Sequence, residues 1–270
     1  MERPGLVASD VDGTLLSPLH GVTERTANAV RRVVAAGVPF VLATGRPPRW
    51  VPEIAQQADL DGYAVCANGA VLYHLGQDRV LWQRTLDPLL VRDVMAELDR
   101  VLPGVAFAVE RTGRTAFDDT VPQFIAEDSY THPWPEGPEP NGDRSGMLTT
   151  PVVKILARHR EMTSADMAEA AALVLDGQVD VTFSTTMGLI ELSAPGVTKV
   201  TGLADVAERL GVPAAEVVAF GDMPNDVEML TWAGHGVAMA NAHPDAKAAA
   251  DEVTAPNSED GVALVLERWF

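Results

Sequence analysis

Short apolar runs alternate with stretches of helical spacing along most of this chain. Leu6-Val7-Ala8 opens the pattern and gives way at once to the polar Ser9-Asp10-Val11-Asp12-Gly13-Thr14. Over residues 23–36, Ala27, Val30, Val33 and Val34 share a helical face, with Thr23 as cap and Gly37 as stop. Apolar runs at 40–43 and 63–67 lie on either side of a helical stretch at 50–58, and end in Thr44-Gly45-Arg46 and Asn68-Gly69-Ala70. Such alternation predicts a parallel sheet with right-handed crossovers and both faces covered. Ligands of these sheets bind beyond the carboxyl ends of the strands. Asp10, Thr44 and Asn68 all stand at such ends.

The pattern then changes. Val71-Leu72-Tyr73 and Val80-Leu81-Trp82 flank Leu75-Gly76-Gln77-Asp78, which predicts a hairpin rather than a crossover. Asp87-Pro88 opens a helix that runs to about Val101 and stops at Pro103-Gly104. Residues 105–109 read as a strand, and residues 133–146, with four prolines and three glycines, as a loop. Strands at 152–157, 179–184 and 189–192 accompany a helix that opens with Thr163-Ser164-Ala165-Asp166. This irregular stretch predicts a mixed α/β module inserted at 84–190 into a core made of 1–83 and 191–270. Alternation resumes with a helix at 198–210 carrying Lys199 in its first turn. A strand at 217–220 ends in Gly221-Asp222, and Asn225-Asp226 opens the next helix. A strand at 236–240 and helices at 244–249 and 261–269 close the chain. The expected fold class is α/β, a doubly wound parallel sheet with an inserted α/β domain.

Composition narrows the function. With 47% hydrophobic and 21% charged residues the chain is a globular protein rather than a disordered or fibrous one. A net charge of -18 argues against a nucleic-acid surface, which needs excess Lys and Arg. Cys66 is the single cysteine, so an intrachain disulfide and a Cys-rich zinc site are excluded, and within its apolar strand it reads as a small core residue. The histidines, His20, His74, His132, His159, His235 and His243, lack the paired spacing of a helical zinc site and read as surface or packing residues. Neither a signal-peptide pattern at the N-terminus nor a run of ~18 apolar residues is present. A cytoplasmic protein without membrane or nucleic-acid partners is the expectation, and the oligomeric state stays open.

Asp10 and Asp12 carry the first chemical demand. Two carboxylates at a strand end repel each other, and burial raises the cost, unless a cation or a ring of donors compensates. A divalent metal is the compensation expected, the alternative being an acidic turn that caps a helix or faces water. Gly13 lets the chain turn sharply there. Taken singly, Thr44 reads equally as a turn residue, Lys199 as a solvated helix charge, Asn225 as a helix cap and Asp226 as a partner of the helix dipole.

Taken together and in order, Asp10-Val11-Asp12-Gly13-Thr14, Thr44-Gly45-Arg46, Lys199 and Gly221-Asp222-Met223-Pro224-Asn225-Asp226 resemble the four motifs of the haloacid dehalogenase superfamily. Asn68-Gly69-Ala70, Gly196-Val197-Thr198-Lys199, Val237-Ala238-Met239-Ala240-Asn241-Ala242 and Glu259-Asp260-Gly261-Val262 resemble its Cof-like phosphatase branch, in which a large α/β cap is inserted. Ala240 departs from the glycine common there. The resemblance implies a Rossmann-like core and phosphoryl transfer, since the dehalogenases lack the second acid. It implies Mg2+ on the Asp10 and Asp222 side chains and the Asp12 carbonyl, Asp10 as nucleophile and Asp12 as general acid and base. Lys199 and Thr44 would hold phosphate oxygens, Asn225 and Asp226 would support them, and Gly13, Gly45, Arg46 and Asn68 would border the substrate. A small phosphorylated metabolite is the expected substrate, with Glu110, Lys154, Arg158 and Trp134 as cap candidates for choosing it. Phosphotransfer to a hydroxyl, a phosphorylated signalling receiver and a non-catalytic binding protein are the alternatives.

Overall fold

A computed structural model describes residues 3–19, 21–133 and 140–270. In chain order its strands are β1 Leu6–Ser9, β2 Phe40–Ala43, β3 Tyr63–Cys66, β4 Val71–His74, β5 Arg79–Gln83, β6 Ala106–Glu110, β7 Phe124–Ala126, β8 Lys154–Arg158, β9 Asp180–Thr182, β10 Leu189–Ser193, β11 Val217–Gly221, β12 His235–Ala238 and β13 Glu252–Val253. The chain divides into two compact units, 3–82 with 198–270, and 83–197.

The first unit is built on a sheet of order β13-β12-β11-β1-β2-β3-β4-β5. From β13 to β3 the strands are parallel, and β4 returns antiparallel to β3, as the hairpin pattern predicts. β1, β2 and β11 are buried along their whole length, which is why they read as continuous apolar runs rather than as alternating ones. Helix Glu24–Ala35 is capped by Thr23, whose side chain accepts from Thr26 N. Its buried arc centres on Val30 and Val33, whereas Val34, assigned to that face from spacing, lies at the rim and is 39% exposed. Helix Lys199–Leu210 sends Leu203 and Val206 into the core cluster with Leu6, Val41, Val65 and Val217. The parallel order brings the carboxyl ends of β3, β2, β1 and β11 side by side.

The second unit is an antiparallel sheet, β7-β6-β8-β10-β9. Helices Pro88–Val101 and Ser164–Leu175 contribute Val91, Val94, Met95, Leu98, Met167 and Ala171 to a core with Phe107, Val109, Ile155, Ile190 and Leu192 of the sheet. Alternation along the strands puts Glu110, Lys154, Arg158 and Glu191 on the opposite face. β10 crosses the boundary drawn at residue 190 and pairs with β8 and β9, so it belongs to this unit. Inside the segment read as a loop, Arg144–Met147 forms a helical turn capped by Asp143. Trp134 lies outside the described residues. Among the described residues, no helix is long and apolar enough to cross a membrane.

Candidate active site

The site starts where β1 ends. Asp10 continues the ladder, its N–H donating to Phe220 O at 2.9 Å, so its side chain leaves the sheet at the carboxyl edge with 5% exposure. The chain then makes a wide turn over Val11–Leu15, closed by Leu16 N donating to Val11 O at 2.9 Å. Gly13 occupies it with φ +79°, a left-handed conformation that glycine adopts without steric cost. A Cβ there would lie 2.2 Å from Asp222 Oδ2, so the absent side chain is what lets this turn meet the end of β11.

Lys199 joins the two halves of the sequence. A cation in the first turn of a helix opposes the helix dipole, and this one is also buried, at 1% exposure. Two carboxylates answer it: its Nζ donates to Asp10 Oδ1 at 2.5 Å and to Asp226 Oδ1 at 2.6 Å. Burial pulls the ammonium toward deprotonation, yet these two acids together hold it above the ordinary lysine range. The reading of Lys199 as a solvated charge is therefore set aside by its burial. Asp226 is fully engaged, since its Oδ2 accepts from the backbone N–H groups of Asp222 and Met223 at 2.9 and 3.0 Å.

Asp10, Asp222 and Asp226 each offer a carboxylate oxygen to one cluster within 4.8 Å. Burial above all pushes the Asp10 and Asp222 carboxyls well above the usual carboxylate range; Lys199 opposes the shift at both, while repulsion from Asp226 and Asp12 adds to it at Asp10 and repulsion from Asp10 and Asp226 adds to it at Asp222. Asp222 has a hydroxyl as its hydrogen-bond donor, Thr14 Oγ1 at 3.2 Å, where Asp10 has an ammonium. Once ionised, three buried acids against one lysine leave an excess of negative charge that a cation would have to offset, and the donors are all oxygen. Such a site fits a hard divalent cation.

Asp12 stands apart from this cluster. Its carboxylate is 47% exposed and forms a two-pronged ion pair with Arg46, Nε to Oδ2 at 2.8 Å and Nη2 to Oδ1 at 2.6 Å. Of the metal set read from sequence, the cluster thus contains the carboxylates of Asp10 and Asp222, and Asp226 in addition, but not the Asp12 side chain. Thr44 is buried at the end of β2, and its hydroxyl oxygen accepts from Arg46 N at 3.1 Å. This satisfies the turn through Gly45 and leaves the hydroxyl proton for another acceptor.

Asn68 follows β3 in a left-handed run, Ala67, Asn68 and Gly69 having φ of +50°, +56° and +99°. Its Oδ1 accepts from Asn225 Nδ2 at 3.0 Å, tying the end of β3 to the turn after β11. Two residues not chosen from the sequence also belong to the site. Asn241 Nδ2 donates to Gly13 O at 2.8 Å, and Asn257 Nδ2 donates to Leu16 O at 2.7 Å. Asn241 stood within a quoted motif but carried no assigned role, and Asn257 gave no signal beyond its place after Pro256.

In the second unit, Lys154, Glu110 and Arg158 of the proposed specificity residues lie among the described residues. Lys154 Nζ donates to Glu191 Oε2 at 2.5 Å, Glu110 stands opposite Lys154 in register, and Arg158 donates to Gly188 O at 3.0 Å.

The sequence profile of the haloacid dehalogenase-like hydrolases matches residues 7–266. The chain is 30% identical over 275 residues to the 5-amino-6-(5-phospho-D-ribitylamino)uracil phosphatase YitU of Bacillus subtilis (strain 168), covering 99% of this chain and 98% of that protein. Phosphatase YwpJ of the same organism is 29% identical over 292 residues, 97% of this chain and 98% of its own. Among solved structures, a haloacid dehalogenase-like hydrolase from Bacteroides thetaiotaomicron aligns with a TM-score of 0.78 and 26% identity, covering 100% of both chains.

Proposed function

From the premise that this chain belongs to the haloacid dehalogenase-like hydrolases and is a phosphatase, we propose that it hydrolyses a small phosphate monoester through an aspartyl phosphate on Asp10. One observation carries this reading: a buried carboxylate, Asp10, is held by Lys199 in the acidic cluster while Asp12, two residues on, faces Arg46 outside it. The two acids therefore sit in different surroundings on one turn, as a nucleophile and a proton carrier require.

In the first step an Asp10 oxygen bonds to phosphorus, the bond from phosphorus to the leaving oxygen breaks, and Asp12 gives that oxygen its proton. In the second, Asp12 takes a proton from water as the water oxygen attacks phosphorus, and the bond to Asp10 breaks to release inorganic phosphate. The first step brings an anion toward an anion and both steps gather negative charge on the phosphoryl oxygens, so positive charge must be fixed in place. Lys199 supplies part of it, and the Thr44 hydroxyl proton and nearby amides can hold phosphate oxygens. The Asp10 and Asp222 carboxylates and the Asp12 carbonyl would hold Mg2+, whose charge would supply the rest and polarise the phosphoryl group. Asp226 positions Lys199 and the Asp222 amide, and Asn225 with Asn68 ties the neighbouring turns.

YitU is named for a phosphorylated ribitylaminouracil, which supports a small phosphorylated metabolite, a sugar phosphate or a phosphorylated cofactor, as the substrate class here. Residues 83–197 are proposed as the cap that selects the leaving group. The test is a screen of phosphorylated metabolites with Mg2+ and phosphate detection. Wild type releases inorganic phosphate, a chelator stops the release, and Asp10→Asn lowers it by roughly 10³-fold or more. Turnover by Asp10→Asn at the wild-type rate overturns the mechanism, and phosphate appearing on another hydroxyl instead of free marks a transferase.

A further inference from the structure

We infer that Asn241 and Asn257 are positioning residues that hold the turn bearing Asp12 fixed during proton transfer, an inference that rests on the phosphatase reading above. Leu16 N to Val11 O closes the turn, and Gly13 at its centre has the conformational freedom to let the following peptide rotate. The carbonyls of Gly13 and Leu16 are taken by the two asparagine side chains, at 2.8 and 2.7 Å. The asparagines are in turn linked, Asn257 N donating to Asn241 Oδ1 at 3.0 Å. The three bonds form one chain from Gly13 O through Asn241 and Asn257 to Leu16 O. It spans the residues that follow Asp12 and is anchored on segments more than 220 positions away in sequence.

The need for such a chain follows from the Arg46 pair. Both Asp12 oxygens accept from the Arg46 guanidinium, Nε to Oδ2 and Nη2 to Oδ1. A proton on either oxygen competes with one of those bonds, so Asp12 has to exchange partners each time it gains or gives a proton. The ion pair cannot then be what keeps the Asp12 backbone in place. Asn241 and Asn257 bond to the carbonyls of the turn and, through the Asn257 backbone N–H, to each other, and are indifferent to that exchange. They hold the turn while the side chain moves.

The test uses leaving groups. An alkyl phosphate such as glycerol phosphate needs a proton on its departing oxygen, whereas p-nitrophenolate departs with little help. Asn241→Ala and Asn257→Ala are expected to lower kcat for the alkyl ester by roughly tenfold more than for the aryl ester, within the range that general acid catalysis supplies. The double variant is expected to match the worse single variant, because the bonds share one chain. Amide exchange over residues 11–16 of the metal-free protein should accelerate in both variants. Equal losses on the two esters, or exchange unchanged from wild type, overturn the inference. Absence of phosphate release by wild type from every ester of the metabolite screen, these two included, instead overturns the phosphatase reading, leaving the exchange measurement to decide the fixing of the turn.

Discussion

At the scale of single residues, the tightest constraint is the missing side chain of Gly13. Gly13→Ala places a methyl group 2.2 Å from Asp222 Oδ2 and forces an L-residue to φ +79°. Asp222 must then move, and it is the cluster carboxylate that Lys199 does not hold directly. The expected result is a rise of roughly tenfold or more in the Mg2+ concentration giving half-maximal phosphate release, the scale seen when a ligand's support is lost. An unchanged Mg2+ dependence would show that the close approach has no functional consequence. Asp10 and Asp222 stood out in the sequence because each closes an apolar run, whereas Lys199, which read singly as a solvated helix charge, stood out only through the ordered motifs it shares with the family. The Asp12–Arg46 pair and the two asparagine bonds were not, since a contact across 34 or 228 positions leaves no periodicity to read.

At the scale of elements, the long buried strands were legible and the short ones were not. β13 is two residues, Glu252–Val253, with Val253 half exposed, and β7 is three, so neither shows a pattern long enough to distinguish from a loop. What secures β13 is polar. Glu252 accepts from Arg268 Nη1 and Nη2 at 2.9 and 2.7 Å and pairs with His235 Nε2 at 3.0 Å, while Asp251 lies 4.0 Å from His235 Nδ1. The Arg268 hydrogen bonds hold the Glu252 carboxyl below the usual range; burial opposes them and His235 adds to them. A carboxyl lowered in this way stabilises the fold above its unfolded pKa of about 4.3, and the contribution is lost as pH falls through the lower folded value. Glu252→Gln should therefore cost about 0.5–1 kcal/mol in urea unfolding near neutral pH, discounted for partial exposure. The gap between variant and wild type should close on acidification below about pH 4.3. A gap that stays constant with pH would mean that packing, not charge, anchors the edge.

At the scale of the whole molecule, alternation of runs and helices showed that a second module interrupts the first, but not where it ends. Leu189-Ile190-Glu191-Leu192-Ser193 runs into Gly196-Val197-Thr198-Lys199 without a change in composition, so only strand pairing assigns β10 to the second unit. That unit closes on itself at both ends. Leu86 and Val152 exchange backbone bonds at 2.8 and 3.2 Å near its start. Near its end Ser193 Oγ donates to Val197 O at 3.2 Å and Gly196 N to Asp180 Oδ2 at 2.6 Å. Its main core, from Leu86 and Val91 through Ile190 and Leu192, draws its buried members from within 83–197. A domain of this size, with a complete sheet, two covering helices and secured termini, meets the conditions for folding alone. Residues 83–197 produced as a separate chain are therefore expected to unfold in one cooperative thermal transition, with near-ultraviolet circular dichroism lost together with the far-ultraviolet signal. A broad transition with strong dye binding at room temperature would mean that the inserted unit depends on the rest of the chain to fix its packing. Selection of the leaving group would then have to be argued for both units at once.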